Sequence, residues 1–147
     1  NVMMAATLAK GRTVIHGAAC EPEVVDLGDC LIKMGAKIHG LGSPRIEIEG
    51  VKRLHGAVHS VIPDRIEAGT FVIAGALTGG AVRVENCRPD HLMILLERLS
   101  EAGLAYDHGE DWIATVPYDT RAYGPRPTDV TTLPYPAFPT DLQAQWM

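Results

Sequence analysis

Apolar positions recur at helical spacing in two stretches, Val24, Leu27, Leu31, Met34 and Leu92, Leu95, Leu96, Leu99, which predicts two amphipathic helices. Pro22 and Pro89 stand where a first helical turn tolerates proline, and Gly35 and Gly103 are natural stops. Arg45-Ile-Glu-Ile-Glu49 alternates polar and apolar, the mark of a half-buried strand, and Trp112–Val116 is its counterpart. Thr13–His16 and Ala81–Glu85 read as short strands. Another helix is predicted from about Asp64, with an apolar face including Ile66, Phe71 and Ala74.

These elements repeat. Ala6–Ile15 aligns with Gly75–Val84, pairing Leu8 with Leu77 and Gly11 with Gly80 at an offset of 69 residues. Leu31–Ile38 aligns with Leu99–Tyr106 at an offset of 68, and Ile46 with Ile113 at 67. Single-residue gaps in loops account for the drift, so two copies of one unit are expected, each helix, strand, helix, strand, strand. A third start is visible in Ala137-Phe-Pro-Thr-Asp-Leu-Gln-Ala144, which resembles Val61-Ile-Pro-Asp-Arg-Ile-Glu-Ala68. The second copy then carries a longer tail around Asp119–Pro127. Asn1 and Met147 both fall inside expected helices, so the sequence reads as a piece of a larger repeat protein.

Composition narrows the class. With 13 Lys+Arg against 18 Asp+Glu the net charge is −5, and aromatic residues make up 5% of the 147 positions. Nucleic acid is therefore not expected as the main partner, because phosphate binding wants a basic stripe and base stacking wants aromatics. A hydrophobic fraction of 46% is ample for a core. Cys20, Cys30 and Cys87 include no Cys-x-x-Cys pair, which fits a reducing cytoplasm better than a disulfide or zinc framework. No apolar run approaches the ~18 residues of a membrane span, and Val2–Ala9 has no basic run before it. A cytoplasmic protein without membrane or metal partners is the expectation.

Candidate chemistry is sparse. Gly40-Leu-Gly42 is followed by Arg45 where a dinucleotide fingerprint needs glycine, and no phosphate-cradling loop or Gly-x-Ser-x-Gly element is present. His55 and His59 have metalloprotease spacing, but Gly56 intervenes, no glutamate accompanies them, and their surroundings alternate like a strand. Glu21 and Glu23 open a helix, where negative charge is favourable in any case. Asp64 and Asp141 each follow a proline turn and open a helix, so capping is the plainer role for both. Spacing alone does not separate them.

Four segments in order carry a resemblance: Glu21-Pro-Glu-Val-Val-Asp26, Pro63-Asp-Arg-Ile-Glu-Ala-Gly-Thr-Phe71, Gly109-Glu-Asp-Trp-Ile113 and Pro136-Ala-Phe-Pro-Thr-Asp-Leu-Gln-Ala-Gln145. Together they resemble the UDP-N-acetylglucosamine 1-carboxyvinyltransferase family, over essentially the whole chain, with a short insertion near Asp119–Gly124. The resemblance implies an α/β fold, an inside-out α/β barrel of βαβαββ-type repeats, of which this chain covers about two of six. Residues 1–63 would be the last repeat of a first domain. Residues 64–147 would be one repeat of a second domain plus the start of the next, with Val61–Arg65 as the linker.

The implied reaction moves the enolpyruvyl group of phosphoenolpyruvate onto the 3-hydroxyl of UDP-N-acetylglucosamine, the opening step of peptidoglycan synthesis, with no cofactor. Its general base would be Asp141, which would also bind the sugar hydroxyl. Glu21, Glu23 and Arg65 would be further substrate contacts. None of the three cysteines matches the family's active-site cysteine, so buried structural thiols are expected. Cys20, Ala68, Tyr135 and Trp146 depart from the residues usual at those positions, as a divergent member would. The related shikimate-pathway enzyme, which makes 5-enolpyruvylshikimate 3-phosphate, and a noncatalytic UDP-sugar-binding paralogue are the alternatives.

Overall fold

The computed structural model describes residues 1–147, which fall into two units, Asn1–Ile62 and Pro63–Met147. In the first, α1 (Val2–Ala6) leads to β1 (Arg12–His16), α2 (Pro22–Lys33), β2 (Lys37–His39) and β3 (Arg45–Glu49). The strands lie in the order β1-β3-β2, with both neighbours antiparallel to β3. The alternation of β3 turns Ile46 and Ile48 inward, where they are 1% and 0% exposed beside Met3, Ala6, Leu31 and Ile38. Its other face carries charge. Glu47 pairs with Arg12 and Arg45, and Glu49 accepts from Lys37 at 2.8 Å. Hydrogen bonds from Arg12 and from Lys37, respectively, hold the Glu47 and Glu49 carboxyls below their ordinary range. That contribution is present above the usual carboxylate range and fades as pH falls through the lowered one. Glu49 is exposed and Glu47 half-buried on the sheet's solvent face, so it is small.

Pro22 starts α2 after Glu21, and Glu23 in the first turn and Lys33 in the last complement the helix dipole. Met34 then closes the helix and Gly35 follows at φ +99°. The Gly35 N–H donates to the Ile32 carbonyl and the Ala36 N–H to Leu31, each at 2.9 Å, which satisfies carbonyls the helix leaves open. Gly50 meets a different constraint. Its N–H donates to the Gly11 carbonyl at 2.8 Å, and a Cβ built there would lie 1.6 Å from the Ala9 carbonyl oxygen. Gly50→Ala is therefore expected to destabilise the first unit by about 1–3 kcal/mol, read by thermal denaturation. An unchanged melting temperature would show that the 9–11 turn moves aside freely.

Residues 51–62 form neither helix nor strand. The strand-like alternation around His55 and His59 is thus corrected: Leu54 packs on the first unit's core, but Val58 and Val61 beyond it are 96% and 78% exposed.

The second unit repeats the plan with α3 (Arg65–Thr78), β4 (Arg83–Glu85), a 3-10 turn (Pro89–Leu92), α4 (Met93–Glu101), β5 (Tyr106–His108) and β6 (Trp112–Thr115). Strand order is β4-β6-β5, again with the last strand in the middle. Residues aligned in sequence hold the same ladder positions, since Ile15 faces Ile46 in one sheet and Val84 faces Ile113 in the other. Gly103, at φ +81°, ends α4 with the same pair of bonds as Gly35, to Ser100 and from Leu104 to Leu99, both 2.9 Å. Leu92, Leu95, Leu96 and Leu99 are at most 2% exposed and pack with Val72, Ile113 and Phe138.

The expected face of α3 is corrected. Phe71 is 54% exposed and Ala74 is also exposed, while Ala68, Val72, Ile73 and Ala76 point inward. This helix is apolar on nearly every side, so its periodicity does not define one buried face. Beyond β6 the chain runs irregularly to a bridge between Thr132 and Phe138, a 3-10 turn (Thr140–Leu142) and α5 (Gln143–Trp146). No helix is long and apolar enough to cross a membrane.

Candidate functional site

The two aspartates that spacing leaves equivalent are different in structure. Asp64 is a cap: its Oδ1 accepts from the backbone N–H groups of Ile66 and Glu67 at 2.8 and 3.0 Å. Asp64→Ala should cost about 1 kcal/mol, measured by denaturant titration; no loss would mean water replaces the carboxylate fully. Asp141 is not a cap. One extra residue, Thr140, separates it from its proline, so Pro139 takes the cap position and Asp141 falls inside the 3-10 turn. Its carboxylate is exposed and caps no backbone N–H.

The turn beneath Asp141 is firmly anchored. Leu142 is 0% exposed and Phe138 is 2% exposed, and both belong to the core of the second unit. The Leu133 N–H donates to the Phe138 carbonyl at 3.1 Å, and the Leu142 N–H to Pro139 at 3.2 Å. Gln145 Nε2 donates to Thr70 Oγ1 at 3.0 Å, and Trp146 Nε1 donates to the Thr128 carbonyl at 3.2 Å. Phe138 and Trp146 meet edge to face, 5.7 Å between centroids. A polar acid is thereby held outward on a rigid apolar base, the arrangement a proton acceptor needs toward a bound hydroxyl.

Arg65, the first residue of α3, is 7% exposed, and its guanidinium lies 5.5 Å from the centroid of Tyr135, six residues before Asp141. Glu21 and Glu23 belong to the first unit, at the start of α2. Glu21 precedes the helix without a side-chain cap, and its Oε2 is buried without a hydrogen-bond partner. Glu23 is exposed in the first turn.

The expectation of three buried thiols holds only for Cys87, 2% exposed; Cys20 and Cys30 are half-buried. Burial pushes the Cys87 thiol up from its ordinary pKa, which keeps it protonated and unreactive at neutral pH. His55 and His59 do not converge. His55 Nδ1 lies 3.0 Å from the Gly56 carbonyl, and His59 is engaged by Asp26 and Lys33 on α2.

Three side chains around this region carry no role in the sequence reading: Tyr135, Thr70 and Gln145. Thr70 and Gln145 lie within segments that carry the resemblance, and Tyr135 departs from the residue usual at its position. An apolar groove of about 570 Å³ in the second unit, with Ile73, Leu99 and Trp146 among its walls, does not include Asp141.

Among solved structures, the chain is similar to the enolpyruvyl transferase NikO from Streptomyces tendae, with 27% identity and a TM-score of 0.65. The match covers 77% of this chain and 28% of that one, so the chain spans under a third of the relative's length. The profile of the EPSP synthase family, 3-phosphoshikimate 1-carboxyvinyltransferase, matches residues 1–147. With the motifs, the fold and the whole-length match in agreement, the chain belongs to the EPSP synthase family of enolpyruvyl transferases.

Proposed function

We propose that this chain is part of an enzyme that transfers the enolpyruvyl group of phosphoenolpyruvate to the 3-hydroxyl of UDP-N-acetylglucosamine and releases phosphate. The observation that carries this reading is Asp141 itself: an exposed, non-capping carboxylate on an anchored turn, within the segment Pro136–Gln145 that resembles the UDP-sugar enzymes. A sugar hydroxyl is a poor nucleophile at neutral pH, and a carboxylate within hydrogen-bond reach withdraws its proton as the new C–O bond forms. Asp141 is assigned both that proton and the orientation of the hydroxyl. Glu21, Glu23 and Arg65 are assigned supporting contacts to the sugar nucleotide. In this reading residues 1–63 close a first domain, residues 64–147 open a second, and the two contribute about two of six repeats. Work in peptidoglycan synthesis in the cytoplasm follows from the proposed acceptor.

The family match supports a second acceptor, shikimate 3-phosphate, equally well. The same aspartate chemistry would then act on a different hydroxyl. Thermal unfolding of the full-length protein separates the two. A ligand at 100 times its dissociation constant should add about 2.7 kcal/mol of stability. A shift with UDP-N-acetylglucosamine and none with shikimate 3-phosphate is expected; the reverse would replace the first reading with the second. Phosphate release that requires both phosphoenolpyruvate and the UDP-sugar would establish catalysis. Binding of the sugar nucleotide without phosphate release would mark a noncatalytic binder.

A further inference from the structure

Residues 51–62 cross the first unit without regular structure, and much of the segment is exposed. Its early part is tied by backbone bonds, Val51 N–H to the Thr7 carbonyl at 2.8 Å and His55 N–H to the Met34 carbonyl at 2.9 Å. Beyond His55 the attachment passes to a side chain. His59 Nε2 lies 2.9 Å from Asp26 Oδ1, and His59 Nδ1 lies 3.1 Å from Lys33 Nζ. Asp26 and Lys33 are two turns apart on α2, so one helix face offers an acid and a base to the two nitrogens of one ring. The His59 and Asp26 side chains are 10% and 13% exposed.

The donors fix the tautomer. An ammonium can only donate, so Nδ1 must accept from Lys33; the ring hydrogen then sits on Nε2 and donates to Asp26. Protonation of the ring has opposite effects on the two bonds. It places an N–H against the Lys33 ammonium and ends that bond. It also turns the Asp26 bond, in which only the carboxylate is charged, into a full ion pair between imidazolium and carboxylate, which is the stronger of the two.

We propose that Asp26, His59 and Lys33 form a two-armed clasp that keeps the 56–62 strap shut on α2 whether the ring is neutral or protonated, because a proton added to the ring ends the Lys33 arm and strengthens the Asp26 arm. The charged groups that meet the ring are these two from α2. On the chain leading into the strap, His55 Nδ1 lies 3.0 Å from the Gly56 carbonyl, and Lys52 and Arg53 are exposed. The strap runs into Pro63, where the second unit begins. The clasp therefore holds the last stretch of chain before Pro63 on α2, and the inference does not depend on which acceptor the protein uses.

The test is amide hydrogen exchange on the intact chain at about pH 7.5 and about pH 5.5, within the range over which imidazole side chains in general change charge. Each variant is compared with the wild type at the same pH, and the amides of β1 and β3 serve as the folding control. His59→Ala should speed exchange of residues 57–62 about tenfold or more at both pH values, the worth of one charge-assisted bond. Asp26→Asn keeps an acceptor but no charge for the ion pair, so relative to the wild type the strap should lose more protection at about pH 5.5 than at about pH 7.5. Lys33→Met should leave it protected at pH 5.5. Strap exchange unchanged in His59→Ala would overturn the clasp. An Asp26→Asn variant equally protected at both pH values would overturn the exchange of arms.

Discussion

Asp141→Asn in the full-length protein is expected to lower turnover roughly 10²–10⁴-fold, the usual contribution of a positioned general base. The melting temperature should barely move, because the carboxylate is exposed and caps no backbone N–H. That separation is the useful part of the experiment. An aspartate kept only as a helix cap would keep its turnover on amidation, since asparagine caps about as well as aspartate. Asparagine retains the shape and one acceptor oxygen, so hydroxyl binding should suffer less than proton removal, and the fall should appear mainly in kcat. Near-normal turnover would sink the assignment of Asp141 as base, whichever acceptor the enzyme takes.

Its neighbour should behave in the opposite way. Leu142 is 0% exposed, and its side chain meets the place where a Cβ on Gly69 would sit, at 3.1 Å, beside Leu92 and Leu95. Leu142→Ala leaves a cavity where three helical elements come together, and unfolding of the second unit should become easier by about 2–5 kcal/mol. For a unit of this size that is a drop of about 4–8 °C per kcal/mol in melting temperature. A variant melting within a degree or two of the wild type would show that the turn does not rest on this side chain. Adjacent residues thus divide the work, one holding the turn in place and the other facing outward, where the proposed chemistry would need it.

The fold was legible where periodicity and punctuation agree. The leucines of α4, the alternation of β3 and the glycines after α2 and α4 each have one physical solution, and the structure adopts it. Legibility fails on α3, whose residues are apolar on nearly every side, and around His55, where alternation exists without a sheet to join. The difference between Asp64 and Asp141 was readable in principle. Aspartate directly after proline reaches forward to accept from two helix N–H groups, while Pro-Thr-Asp carries the carboxylate past the cap and into the turn. The Asp26–His59–Lys33 clasp and the Arg65–Tyr135 stack were not readable, since each joins residues that only tertiary packing brings together.

The strand orders β1-β3-β2 and β4-β6-β5 also govern how the chain can be made. In each sheet the strand synthesised last is the one in the middle, and the two earlier strands do not pair with each other. As the polypeptide leaves the ribosome, β1 and β2 therefore wait with unpaired edges until residue 49 has emerged, and β4 and β5 wait until residue 115. Unpaired edges of this kind are where nascent chains stick to one another. Each unit closes in a single step when its final strand arrives, so a chain stopped just short of β3 or β6 loses a whole sheet rather than one strand of it.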